Sequence, residues 1–116
     1  MSNKIIARVA VAVAVTATSL VVGAGTSQAA IDCTQYGTNN DGGFLYTIGA
    51  VPYRRGPGAA CASVGNHEGK AAIWCSKYNP ETGNLWYYAR DISSNTVGWV
   101  WAGNVQRTEG SNHAGC

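Results

Sequence analysis

Charged side chains are scarce in this 116-residue chain, in which Asp, Glu, Lys and Arg together make up 12% of the residues. Two of the eight basic residues, Lys4 and Arg8, lie within the first thirty positions, so the remainder carries six basic residues against six acidic ones. These charges are scattered and build no basic stripe of the kind that attracts nucleic acid or an anionic membrane. The composition therefore excludes nucleic acid as a partner.

Motifs of the common catalytic and metal sites are also missing. The chain contains no G-x-S-x-G, no H-E-x-x-H and no C-x-x-C, and its carboxylates are isolated in sequence. His67 stands beside Glu68 in a predicted turn, and neither His67 nor His113 lies close to a pair of cysteines. An enzyme would need a constellation assembled in space. We expect a non-catalytic protein without a metal or a cofactor.

No apolar run is long enough for a spanning helix, which needs about 18–20 residues. The Ala/Val-rich run over residues 9–22 follows two basic residues and precedes the small residues of 23–30. This order is typical of a secretory signal peptide, and a retained membrane anchor is the alternative. We expect residues 1–29 to be the signal peptide, with cleavage after Ala29 or Ala30. The mature protein would then be extracellular and free of the membrane.

The chain has an even number of cysteines, so none is left over when they pair. Its four cysteines, Cys33, Cys61, Cys75 and Cys116, all follow the predicted signal peptide. An even number in a short secreted chain predicts a disulfide framework, and such a framework is needed because about ninety residues bury only a modest core. Each bridge stabilises the fold by about 2–4 kcal/mol. Spacing alone leaves three pairings open.

Sustained helical periodicity is absent, whereas β-forming and turn residues are abundant. Thirteen of the fifteen glycines, all four tryptophans and all six tyrosines follow residue 30. Short apolar runs separated by turn residues are typical of a small all-β domain. We predict strands over 44–49, 62–65, 70–76, 85–90 and 97–101, a hairpin loop over 77–84 and a polar tail tied down by Cys116.

The order of the motifs over residues 51–105 resembles the bacterial SH3-like (SH3b) domain, especially its small secreted single-domain forms from actinomycetes. The resemblance is carried by the R-x-G-P motif of 54–57, by the strand of 69–75, by Trp86 and by Gly98-Trp99-Val100 with the turn that follows it. It implies a small SH3-like β-barrel of about five strands. Residues 30–50 would be an N-terminal extension, and 106–116 a C-terminal tail.

The resemblance also implies how the cysteines pair. Small secreted relatives often carry one cysteine on the strand that matches Cys75 and another at the C-terminus. We therefore expect the bridge Cys75–Cys116, which leaves Cys33–Cys61.

We expect the molecule to be a monomer.

Alternation along the strands sorts the aromatic residues into two faces. Val64, Ile73, Tyr87, Ala89 and Val100 suit the core. The opposite face would then carry Trp86, Tyr88, Trp99 and Trp101, crowded on the outer surface or rim.

Two interpretations of the aromatic face remain open. With Tyr53, these rings would line a shallow groove for an extended peptide or a sugar, because aromatic faces offer a large contact area at low entropic cost. Alternatively, they cover a barrel too small to hide them, or pack under residues 32–50. Arg54 would either meet a peptide carboxylate or brace the turn at Gly56-Pro57.

The resemblance implies a secreted binding module for the peptide or glycan of peptidoglycan, associated with the cell wall. The alternative is a small secreted inhibitor or antagonistic protein that acts through the hairpin loop 79–84, because fold does not determine function. An inhibitor needs a rigid protruding loop, whereas a wall-binding protein depends on the aromatic residues.

Overall fold

The computed structural model describes residues 31–116, and the predicted signal peptide lies outside them. Within residues 31–116 no helix is long and apolar enough to cross a membrane. The only helical element in this part of the chain is a 3₁₀ turn, Ala102–Asn104. The predicted all-β class is therefore confirmed.

One antiparallel sheet of seven strands contains all the extended segments, in the spatial order β3-β2-β6-β5-β4-β1-β7. The prediction of about five strands was wrong. No backbone ladder joins the edge strands β3 and β7 in the described part of the chain, so the sheet is not a closed barrel. The strands are β1 (Phe44–Thr47), β2 (Val51–Arg54), β3 (Ser63–His67), β4 (Lys70–Tyr78), β5 (Leu85–Asp91), β6 (Val97–Trp101) and β7 (Val105–Glu109).

The two strands that we did not predict, β2 and β7, carry weak sequence signals. Pro52 argues against a strand because proline cannot donate to a ladder. Since β2 pairs with β6 only at Arg54, that ladder does not need the missing N–H. Strand β7 is polar, and side-chain contacts add to its antiparallel backbone ladder with β1. The Arg107 guanidinium lies 3.9 Å from the Tyr46 ring centroid, and the Tyr46 hydroxyl donates to Glu109 over 3.1 Å.

The inner face of the sheet forms the main core. Four of the residues predicted for it, Ile73, Tyr87, Ala89 and Val100, are buried there, and Val64 packs at its edge. Leu45 of β1 is fully buried in the same cluster, although it belongs to the predicted N-terminal extension. The extension therefore supplies a strand and a core residue to the sheet. The whole cluster comprises Leu45, Val51, Tyr53, Ala71, Ile73, Tyr87, Ala89 and Val100.

Two disulfides attach the ends of the described chain, one to the loop after β2 and the other to β4. They join Cys33 to Cys61 and Cys75 to Cys116, which is the pairing expected from the resemblance. At the first bridge the backbone approach is very close, because a Cβ atom added at Gly56 would lie 2.5 Å from the Cα of Cys33. Only glycine fits between the N-terminal segment and the loop after β2.

We predict that Leu45→Ala lowers the free energy of unfolding by about 2–5 kcal/mol, because it leaves a cavity in the core. Ile48, which follows β1 and is 63% exposed, is the matched control. Ile48→Ala should change the stability by no more than about 0.5 kcal/mol. Urea unfolding of the oxidised protein measures both values. If Leu45→Ala changes the stability as little as Ile48→Ala does, β1 is not part of the core.

Candidate functional site

Most of the aromatic residues that we predicted for the outer face lie there, but they are not exposed. Tyr88 pairs with Trp99 across β5 and β6, and their ring centroids are 5.0 Å apart. Together with Trp86 and Cys75 they form a second buried cluster. The exposed fraction is 0% for Trp99, 4% for Trp86 and 7% for Tyr88. The expectation that these three rings crowd the surface was therefore wrong.

The N-terminal segment 31–43 packs against this face and explains the burial. The Trp99 indole donates from Nε1 to the carbonyl of Gln35 over 2.9 Å. Two successive backbone amides, those of Asn40 and Asp41, donate to the carbonyl of Trp74. The chain passes so close that a Cβ added at Gly37 would lie 2.6 Å from the Tyr88 ring. The alternative in which the rings pack under residues 32–50 therefore describes Trp99 and Tyr88.

Tyr53 belongs to the opposite face of the sheet and takes no part in an outer groove. Its side chain is fully buried in the main core, edge-on to His67 at 5.2 Å between ring centroids. The Tyr53 hydroxyl has no hydrogen-bond partner among the described residues. Burial, and then the Asp91 carboxylate, raise the pKa of Tyr53. Its position is that of a core residue, because alternation along β2 points residues 51 and 53 inward.

Arg54 braces the loop that follows β2. Its Nη1 donates to the carbonyl of Cys61 over 2.9 Å, next to the first disulfide. Arg54 also lines two depressions of the outer face. The smaller one, of about 100 Å³, lies beside Tyr88 and Tyr36. Loop bracing thus occupies one N–H of the guanidinium that lines both depressions.

The larger depression, which we call the Trp101 groove, has a volume of about 210 Å³. It brings together three of the predicted site residues, Arg54, Trp86 and Trp101. We did not predict its other lining residues, because they come from four separate elements: β2, the loop after it, the hairpin loop before β5 and the 3₁₀ turn. The complete lining is Pro52, Arg54, Ala59, Asn84, Trp86, Trp101 and Asn104.

Trp101 is the one predicted aromatic site residue that reaches the solvent, with 41% of its surface exposed. Its indole rests on the backbone of the 3₁₀ turn. A Cβ added at Gly103 would lie 2.4 Å from two atoms of the Trp101 six-membered ring. Glycine at position 103 therefore determines where the ring lies, since any larger residue would push the indole away from this position.

Trp86, which lines the groove, carries an unused hydrogen-bond donor. Its Nε1 is buried and has no hydrogen-bond partner among residues 31–116. A buried donor without an acceptor costs about 1–3 kcal/mol, so such a group is rarely retained without a reason. The sequence alone could not reveal it, because partners in space decide whether a donor is satisfied.

The chemistry of the groove suits binding. Its lining residues carry two indole rings, the carboxamides of Asn84 and Asn104, and one guanidinium. No carboxylate, imidazole, hydroxyl or thiol lines it. Within residues 31–116 no group of three or more His, Cys, Asp or Glu side chains is placed to hold a metal ion.

The hairpin loop 79–84 is held at its base by hydrogen bonds of the Asn79 side chain. Oδ1 of the buried Asn79 side chain accepts a hydrogen bond from the backbone amide of Glu81 over 2.7 Å. Through Nδ2 the side chain donates to the carbonyl of Pro57 over 3.0 Å. Residues 80–84 are exposed. The loop thus has a fixed base and an accessible tip.

No protein-family model matches the chain. No curated protein and no solved structure matches it either. The resemblance to SH3b domains is therefore carried by the quoted residues alone.

We predict that Trp99→Phe lowers the stability by about 1–3 kcal/mol more than Trp86→Phe does. Both changes remove the same ring volume from the buried outer cluster. Only the change at Trp99 leaves a carbonyl, that of Gln35, without its donor. Urea unfolding of the two variants gives the comparison. Equal losses would mean that the Trp86 donor also has a structural partner.

We predict that Tyr53→Phe flattens the loss of stability at alkaline pH. The pKa of Tyr53 is raised in the folded state by burial and by Asp91, whereas an unfolded tyrosine titrates near about 10. Above that pH the unfolded chain loses its proton first, so the free energy of unfolding falls as the pH rises. Because burial also raises the pKa of Tyr87 and Tyr88, part of the decline remains in the variant.

The measurement is urea unfolding at a series of pH values from about 8 to 11, on either side of the tyrosine value. Tyr36 is 79% exposed, so Tyr36→Phe is the matched control and should follow the parent protein. If the free energy of unfolding falls with pH equally steeply in Tyr53→Phe and in the parent, the pKa of Tyr53 is not raised in the folded state.

Proposed function

We propose that this chain is a secreted, non-catalytic binding module that takes up cell-wall peptide or glycan in the Trp101 groove. The observation that carries the proposal is the exposed Trp101 indole, seated on Gly103 at the edge of a groove that also contains Trp86 and Arg54. An exposed aromatic ring held in place binds ligands at low entropic cost. Its fixed position favours a binding role over incidental exposure.

We assign the fold to the SH3-like (SH3b) type, with β1 and β7 as additions to its strands. Two residues that carry the resemblance meet in space, which supports the assignment. A Cβ added at Gly98 would lie 3.0 Å from the carbonyl oxygen of Arg54, and residues 54 and 99 are paired. The glycine of the G-W-V motif therefore allows β6 to approach β2 at the R-x-G-P motif.

The proposed location is extracellular, in association with the cell wall. Two disulfides tie the ends of residues 31–116 to the loop after β2 and to β4, and such bridges persist in oxidising compartments. The signal-peptide pattern at the start of the sequence points to the same route. We propose a monomer that binds peptidoglycan peptide or glycan, or an extended peptide.

A second candidate function is that of an inhibitor or antagonistic protein that acts through the loop 79–84. The observation in its favour is the buried Asn79, which holds the loop from two directions. A loop fixed before binding loses little entropy when it docks into a target. The tip at Pro80 and Glu81 would make the contact.

We predict that the protein sediments with purified peptidoglycan sacculi and that Trp101→Ala weakens this binding by about tenfold or more, as for a central aromatic anchor. The protein should be purified from the medium of a strain that exports the full chain. Binding should survive raised salt, since the anchor is aromatic rather than ionic. Trp99 is unsuitable for this test because it is buried.

Three variants separate the two candidates. Gly103→Ala keeps every aromatic residue but displaces the Trp101 ring, and it should weaken wall binding. Tyr78→Ala removes another exposed aromatic ring outside the groove and should have no effect. Replacement of Pro80-Glu81 should also leave wall binding intact. If the folded parent protein does not bind sacculi, the wall-binding proposal fails and the loop 79–84 becomes the leading site.

A further inference from the structure

The lining of the Trp101 groove is uncharged except at Arg54. One N–H of that guanidinium is already bonded to the carbonyl of Cys61. No carboxylate is present to neutralise an ammonium group, and burial of an unpaired charge is costly. The groove therefore suits an uncharged polar group better than the amino groups of a wall peptide.

The unused donor at Trp86 specifies what that polar group must contain. A buried N–H without a partner gains most from a ligand oxygen that accepts its hydrogen bond. The neighbouring carboxamides of Asn84 and Asn104 offer both acceptors and donors. A ligand with a carbonyl and an N–H side by side matches this set.

We propose that the group recognised in the groove is the acetamido group of an N-acetylated amino sugar. Its carbonyl oxygen accepts from Nε1 of Trp86, its N–H donates to a carboxamide oxygen, and its methyl group packs against the Trp101 ring. The groove, at about 210 Å³, has room for one such unit. This inference rests on the proposed function, because it names the ligand of the same site.

Access to the donor requires a side-chain adjustment, because Nε1 of Trp86 is buried. Trp101 lies opposite Trp86 in the ladder of β5 and β6 and stays seated on Gly103, so a ligand that reaches the donor also contacts the Trp101 ring. Binding should therefore change the environment of both indoles. An indole N–H that gains an acceptor also gives a direct spectroscopic signature.

The test is a titration of the ¹⁵N-labelled protein with two neutral trisaccharides of the same linkage. One is the β-1,4-linked trimer of N-acetylglucosamine, and the other is cellotriose, which carries hydroxyls in place of the acetamido groups. We expect the indole N–H resonance of Trp86 to shift downfield with the acetylated trimer. Cellotriose should bind at least about tenfold more weakly, the value of one hydrogen bond to a buried donor.

Trp86→Phe separates recognition from structure. It keeps an aromatic ring but removes the donor, so affinity for the acetylated trimer should fall about fivefold to tenfold. Trp99→Phe is the matched control, because it removes an indole N–H that is bonded to Gln35 instead. It should leave the affinity unchanged while it lowers the stability.

The outcomes distinguish this inference from the proposed function. Equal affinity for the two trisaccharides, or an unshifted Trp86 resonance in the bound state, overturns the acetamido assignment and leaves wall binding standing. If the protein binds sacculi but neither trisaccharide, the acetamido assignment fails and the wall peptide becomes the ligand. If neither sacculi nor sugars bind, both proposals fail together.

Discussion

The structure depends on one docking contact, that of segment 31–43 on the outer face of the sheet. A single small sheet buries apolar side chains on both faces, and its own strands enclose only one of them. The bond from Trp99 to the carbonyl of Gln35 and the bridge Cys33–Cys61 hold the segment in place. Without this cover, Trp99 and Tyr88 would lie in water, and the second cluster would not exist.

The cover also decides where a ligand can bind. It occupies the aromatic surface around Tyr88 and Trp99 and leaves Trp101 as the exposed ring of that face, in the lining of the groove. One aromatic face is thus divided into a structural half and an accessible half. The division follows β6, where Trp99 is fully buried and Trp101, two residues later, is partly exposed.

Sequence patterns predicted the features of the fold that depend on local backbone structure. Alternation was enough to place Ile73, Tyr87, Ala89 and Val100 in the core, because the period of a strand is fixed by its backbone. The burial of Trp99 depends on a segment 64 positions away that has no pattern of its own. Likewise, Asn84 and Asn104 line one groove only once two separate turns converge. Contacts of this kind are set by tertiary packing.

The placement of the two bridges has a consequence for biogenesis. Neither bridge joins two strands to each other, since each ties a terminal segment to the sheet or to the loop after β2. In a reducing compartment the seven-stranded sheet could still pair while its cover remained loose, and the aromatic face would then invite aggregation. Oxidation fastens the cover over that face. Under the proposed export, the chain folds in the compartment that supplies the bridges, and the same oxidation that forms them keeps the aromatic face covered.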